Sequence, residues 1–219
     1  LQSGSGPERL TVNSHITDLR EMIETSGVSP PLALVGHSWG AMLALAYTAA
    51  HPSHVSSIAL IGCGTFDEAT REHLLATRSK RTDKGLEQQL EHLRRKIPNA
   101  NKRLKVIGDL TLPLYSYDLT TTHLDVETYD SQAHRETWED MVRLQDSGVY
   151  PAALSGITAP VLMLHGAVDP HPGRMIKESL EKYLPQLQYH EWSHCGHYPW
   201  LEKEVSDEFF SVLRKWLTP

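Results

Sequence analysis

Gly36-His37-Ser38-Trp39-Gly40 is the segment whose residue types and spacing best suit covalent chemistry. A serine with glycines two residues to either side is weak evidence alone, because ordinary glycine usage produces such matches by chance. Its setting adds the rest. Residues 32–36 (LALVG) form an uninterrupted apolar run that suits a strand buried on both faces. Residues 41–50 (AMLALAYTAA) follow at once and are mostly strong helix formers. A serine on a tight strand-to-helix turn stands at a helix N-terminus, where backbone N–H groups can receive an oxyanion. The flanking glycines are expected to permit a close backbone approach that a Cβ would block. Ser38 is therefore the expected nucleophile and the Trp39 N–H the expected oxyanion donor.

An ordinary hydroxyl is a poor nucleophile and needs a base. With 13 histidines in the chain, position must choose among them. His197 lies in residues 194–200 (HCGHYPW), after the last apolar run, and follows a glycine that suits a tight loop. His194 and His197 form no convincing metal pair, since no carboxylate or thiolate set completes a site; His194 is otherwise a packing or substrate-contact residue. The base in turn needs a carboxylate to fix its tautomer and stabilise the imidazolium. Asp169, in residues 165–173 (HGAVDPHPG), gives the order Ser, Asp, His. Asp67 is the rival acid, and Asp169 is preferred. Asp-Pro is also ordinary turn chemistry.

These side chains need a scaffold whose strand ends converge. Residues 32–36, 58–62, 161–165 and 187–192 read as strands. Ile16, Leu19, Met22 and Ile23 share one helical face that Gly27 can terminate, and residues 201–216 read as a closing amphipathic helix with Leu201, Val205, Phe209, Val212 and Trp216 inward. The alternation predicts a mostly parallel sheet with helices on both faces. Residues 66–156 break that rhythm. They carry a Leu86, Leu90, Leu93, Ile97 stripe and a further helix from Ser131 to Gly148 presenting Trp138, Met141 and Val142. The division expected is core at 1–65, an inserted helical cap at 66–156 and core again at 157–219. Residues 1–7 (LQSGSGP) read as a turn or loose end.

The 219 residues carry 40% hydrophobic and 22% charged side chains, ordinary globular usage. A net charge of −6 argues against a nucleic-acid surface. No apolar run is long enough to span a bilayer. Cys63 and Cys195 are too few for a disulfide framework.

Taken together, GHSWG, HGAVDPHPG and CGHYPW resemble the α/β-hydrolase superfamily, over the chain from residue 11 to its end apart from the cap. The Ser-Trp-Gly elbow is similar to that of proline iminopeptidase-like members, which usually carry Gly where His37 stands. Esterases, lactonases, thioesterases and carbon–carbon bond hydrolases also share the G-H-S-x-G form. The resemblance implies attack by Ser38, an acyl-enzyme, and hydrolysis by water that His197 activates, on a small-molecule ester or amide, with no cofactor and no metal. A carboxyl-ester or related acyl hydrolase leads, an aminopeptidase comes second and a non-catalytic binding relative third. His37 and Trp138 are candidate substrate contacts. Leu112, Leu114, Tyr115, Tyr117, Tyr129 and Trp138 could line an acyl pocket or simply pack the cap. Glu136, Glu139 and Asp140 could bind a substrate amine or form a solvated helix face. The resemblance also implies that four strands and the loop with the second oxyanion donor are absent, so that an N-terminal segment or companion chain completes the sheet beside residues 32–36. The expected compartment is cytoplasmic.

Overall fold

The fold is taken from a computed structural model that describes residues 9–124 and 128–218. The turn expected at residues 1–7 lies outside the described residues. Thr11 caps the first helix, α1 (Val12–Thr25), by accepting from the Ser14 N–H, and Ser14 returns a bond to the Thr11 N–H. This reciprocal pair satisfies donors that a helix start otherwise leaves open. Strand β1 (Leu32–His37) and helix α2 (Trp39–Ala50) follow, joined through Ser38. β2 (Val55–Ile61), β3 (Val161–Gly166) and β4 (Leu187–Trp192) complete a four-stranded sheet in the order β1-β2-β3-β4, every pair parallel. Helix α7 (Gly173–Glu181) connects β3 to β4, and α8 (Ser206–Leu217) closes the chain.

Residue alternation along the strands sorts side chains to two faces. Ile58, Leu60, Val161 and Met163 meet α1, α2 and α7 in the larger cluster, while Ile61, Leu162 and Leu164 meet Trp192, Val205 and Phe209 under α8. Each such fully buried aliphatic or aromatic side chain contributes on the order of 1.5–3 kcal/mol. β1 departs from the two-faced burial expected of it. Leu32 and Leu34 pack on the larger cluster, but Ala33 and Val35 alternate outward and Val35 is 47% exposed. The reason is position. Among the described residues β1 lies at an edge of the sheet, and its outward residues register with Ser57 and Ala59 on the α8 side, where none of the second cluster's residues comes from β1.

Between β2 and β3 run α3 (Glu68–Arg81), α4 (Lys84–Lys96), α5 (Ala100–Thr111), a 3-10 turn (Leu112–Tyr115) and α6 (Ser131–Asp146). Asp67, Asp83, Asn99 and Asp130 cap the four helices with side-chain acceptors, which explains why the segment breaks where it does. This interval is not one separate layer. Met141, Tyr150, Leu154 and Ile157 are buried in the larger core cluster, against α1 and α2, whereas α4 has no buried residue. No helix among the described residues is long and apolar enough to cross a membrane.

Candidate active site

Ser38, Asp169 and His197 each follow the C-terminal end of a strand, the usual place for a site in a parallel α/β fold. Ser38 sits between β1 and α2 with φ 55 and ψ −120, the sole non-glycine at positive φ among the described residues. An L-residue held there is strained by its Cβ. Two features hold the turn. The Ser38 N–H donates to Ile61 O at 2.8 Å, and Gly36 brings the strand so close to the helix that a Cβ on it would lie 2.3 Å from Gly40 O. The expectation of two sterically required glycines holds for Gly36 alone, because a Cβ on Gly40 would meet nothing within 4 Å. Trp39 begins α2, so its N–H has no intrahelical acceptor.

The loop after β4 carries His197. Its Nδ1 is 2.6 Å from Asp169 Oδ2, both side chains being buried. With Nδ1–H donated to the carboxylate, Nε2 is the ring's acceptor. The ring lies against the end of β2, where Gly62 at φ 51 leaves room: a Cβ there would stand 2.9 Å from His197 Nδ1. His37 Nε2 donates to His197 O at 2.9 Å, and the two rings lie 4.6 Å apart. Burial, then the nearby His197, push the His37 pKa down to about 3, so it is a neutral donor. The structure thus turns the candidate substrate contact His37 toward the histidine loop, where it also meets Tyr198 and Trp200.

Asp169 follows β3. Burial alone would raise its carboxyl pKa, but His197, the two imidazole hydrogen bonds and His165 outweigh this and hold it well below the usual carboxylate range. The rival Asp67 is elsewhere employed, accepting from the Thr70 N–H at the start of α3. His194 is exposed, pairs with Glu204 at 3.1 Å and stacks on Tyr117.

Several functional groups were not read from the sequence. His171 donates Nδ1–H to Asp169 Oδ1 at 2.8 Å, and Asp169, His171 and His197 hold their side-chain polar atoms within 4.8 Å of one another. Here those atoms are spent on hydrogen bonds to each other. His165 donates Nε2–H to His171 O, and its Nδ1 is buried without a partner. Glu202 is 1% exposed and accepts from the N–H groups of Gly196 (2.8 Å), Tyr117 (2.9 Å) and Asp118 (2.7 Å). It thereby ties the segment after α5 to the loop carrying His197, and Tyr115 O accepts from the His197 N–H at 2.7 Å. The count of histidines around Asp169 was the available signal for His171; Glu202 gave none.

Of the apolar residues considered for an acyl pocket, Tyr115 is the one whose ring meets His171 and His197, 5.8 Å from the His197 ring. Leu112 is buried, Tyr117 is exposed, Tyr129 lies beside Lys105 and Trp138 packs on the larger core cluster. The α6 carboxylates, of which Glu139 is exposed and Asp140 buried, are engaged by the segment that leads into α1. Glu139 pairs with Arg9 at 2.7 Å, Glu136 accepts from the Leu10 N–H, and buried Asp140 accepts from the Val12 N–H at the start of α1.

Comparison with known proteins bears on the fold. The model of the alpha/beta hydrolase fold family matches residues 2–204. A cis-3-alkyl-4-alkyloxetan-2-one decarboxylase of Shewanella oneidensis is 23% identical over 95% of this chain, which spans 66% of that relative's length. Among solved structures, an esterase from Exiguobacterium antarcticum superposes with a TM-score of 0.66 at 16% identity, covering 100% of this chain and 78% of its own. An alpha/beta fold family hydrolase from Bacillus anthracis gives a TM-score of 0.65 at 16% identity, over 98% of this chain and 77% of its own.

Proposed function

The chain belongs to the α/β-hydrolase fold family, and on that premise we propose that it is a serine hydrolase that cleaves a carboxyl ester or related acyl bond. The observation that carries the reading is the buried Asp169–His197 pair at 2.6 Å, placed on the same sheet edge as a serine held at φ 55. Ser38 Oγ attacks the acyl carbon while His197 Nε2 takes its proton. Asp169 fixes the tautomer and stabilises the imidazolium without itself being protonated. The Trp39 N–H donates to the carbonyl oxygen as it becomes an oxyanion, a contribution typically worth about 10²–10³ in rate for one donor. His197 returns the proton to the leaving group. It then activates water against the acyl-enzyme, and Ser38 is restored.

An aminopeptidase needs a free carboxylate to receive the substrate amine, and the α6 carboxylates that suggested one hold the α1 segment instead. The ester reading is therefore preferred. Its test is treatment with a fluorophosphonate followed by peptide mass spectrometry, beside a panel of p-nitrophenyl esters, amino-acid anilides and a four-membered lactone, the ring type in the Shewanella relative's name. The adduct is expected on Ser38, with turnover among the esters or the lactone. An adduct elsewhere with Ser38 unmodified would sink the assignment.

A further inference from the structure

Asp169 serves two imidazoles where a triad requires one. Oδ2 takes His197 Nδ1–H, while Oδ1 takes both the His171 Nδ1–H at 2.8 Å and the His171 backbone N–H at 2.9 Å. The two rings stack with centroids 4.7 Å apart and planes 21° from parallel. The backbone N–H already satisfies Oδ1, so the second imidazole is not needed to solvate the carboxylate. The His171 side chain keeps 11% of its surface exposed, enough for a proton to arrive from water.

Resting on the triad reading, we propose that His171 is a positioning residue for the Asp169–His197 pair: neutral, it fixes the carboxylate plane that His197 needs, and protonated, it opposes the imidazolium that His197 must become.

The electrostatics follow from the stacking. When Ser38 loses its proton, His197 becomes a cation, and a like charge on a ring 4.7 Å away raises the energy of that state. A protonated His171 would also take up the Asp169 charge that otherwise stabilises the His197 imidazolium. The groups facing His171 come from several elements: Asp169 from its own loop, His165 from β3, His197 from the loop after β4, Tyr115 from the 3-10 turn, and Arg78 from α3. Arg81, also on α3, donates to Val168 O beside Asp169. Burial lowers the His171 pKa and Asp169 pulls the other way, leaving it below the ordinary histidine value and the ring neutral at pH 7. A proton on His171 therefore slows the site in acid.

The rate of Ser38 labelling by a fluorophosphonate, followed from pH 4.5 to 8.5, tests this on the whole chain. His171→Asn, which can donate but not titrate, should stay within about tenfold of wild type at pH 8 and lose a smaller fraction of its rate than the wild type on descent to pH 4.5. His171→Phe, which stacks but cannot donate, should lose more than His171→Asn at every pH. Thermal melts show which variants are folded, and His171→Gln takes the place of an Asn variant that is not. An Asn profile that overlays the wild type, or a Phe variant as fast as the Asn variant, overturns the proposal and leaves the triad standing. No label on Ser38 in the wild type overturns the triad reading, and this inference with it.

Discussion

Replacing Glu202 by Gln isolates the connection between the histidine loop and the segment after α5. The carboxylate is 1% exposed and receives three backbone N–H groups, two on Oε1 and one on Oε2. A glutamine oxygen in the Oε1 position keeps the bonds from Gly196 and Tyr117, now neutral. Its amide group must then face the Asp118 N–H, donor against donor. Losing a bond to a charged group costs about 1.5–3 kcal/mol, which is large beside a typical domain stability of about 5–15 kcal/mol. Urea unfolding of wild type and Glu202→Gln measures it. Amide exchange at Gly196, Tyr117 and Asp118 should accelerate in the variant, and Ser38 labelling should slow, because Gly196 precedes His197. A stability loss below about 1 kcal/mol with those three amides still protected would refute the reasoning.

Asp169→Asn should lower turnover by up to ~10⁴-fold, the scale seen when a triad carboxylate is neutralised, whereas Asp67→Asn should be nearly silent because asparagine caps a helix about as well as aspartate; steady-state kinetics on a cleaved ester would separate them, and equal effects would leave the acid unassigned. Gly36→Ala should destabilise by at least about 1–3 kcal/mol, since its Cβ would meet backbone atoms of Gly40 and Ala41 at 2.3–2.7 Å; a melting temperature equal to wild type would contradict the close approach. Stability should fall as pH drops from 7.5 to 5. His37, His165 and His171 have lowered folded pKa values, so the unfolded chain binds more protons below its ordinary histidine pKa of about 6.5. His37 alone, at about 3 when folded, contributes roughly 2 kcal/mol of that loss. Asp169 adds nothing in this window, because its depressed pKa lies lower still. Urea midpoints unchanged between the two pH values would refute this.

The sheet was legible because three of its strands are short apolar runs punctuated by Gly, Pro or charge and the fourth, LQYHEW, is a weaker signal of the same kind, and the structure sets all four within three residues of the positions expected. Ser38, Asp169 and His197 were legible because each follows such a run. An apolar run does not distinguish a central strand from an edge, so the outward turn of Ala33 and Val35 was not readable. The partners of two α6 carboxylates were not readable for a different reason. Charge on a helix face signals solvent by default, whereas Glu136 and Asp140 are matched to backbone N–H groups far away in sequence, which carry no residue-type signature. Glu202 and its three amide donors escaped in the same way. His171 lay in a segment whose Asp-Pro pair reads as a turn, and nothing in that reading shows that a turn brings two imidazoles onto one carboxylate.

The fastening of α1 to α6 has a consequence for the order in which the molecule assembles. Arg9, Leu10 and Val12 find their partners 130, 126 and 128 residues further along the chain, and β2 waits for β3 while four helices are made. Contacts closing loops of that size form late, because their entropy cost precedes their reward. The faces of α1 and α2 that meet Met141, Leu154 and Ile157 stay without those partners until residues near 157 are made. The first half of this chain made alone is therefore expected to be recovered aggregated, and refolding of the whole to pass through a collapsed species that binds a hydrophobic dye before α6 docks.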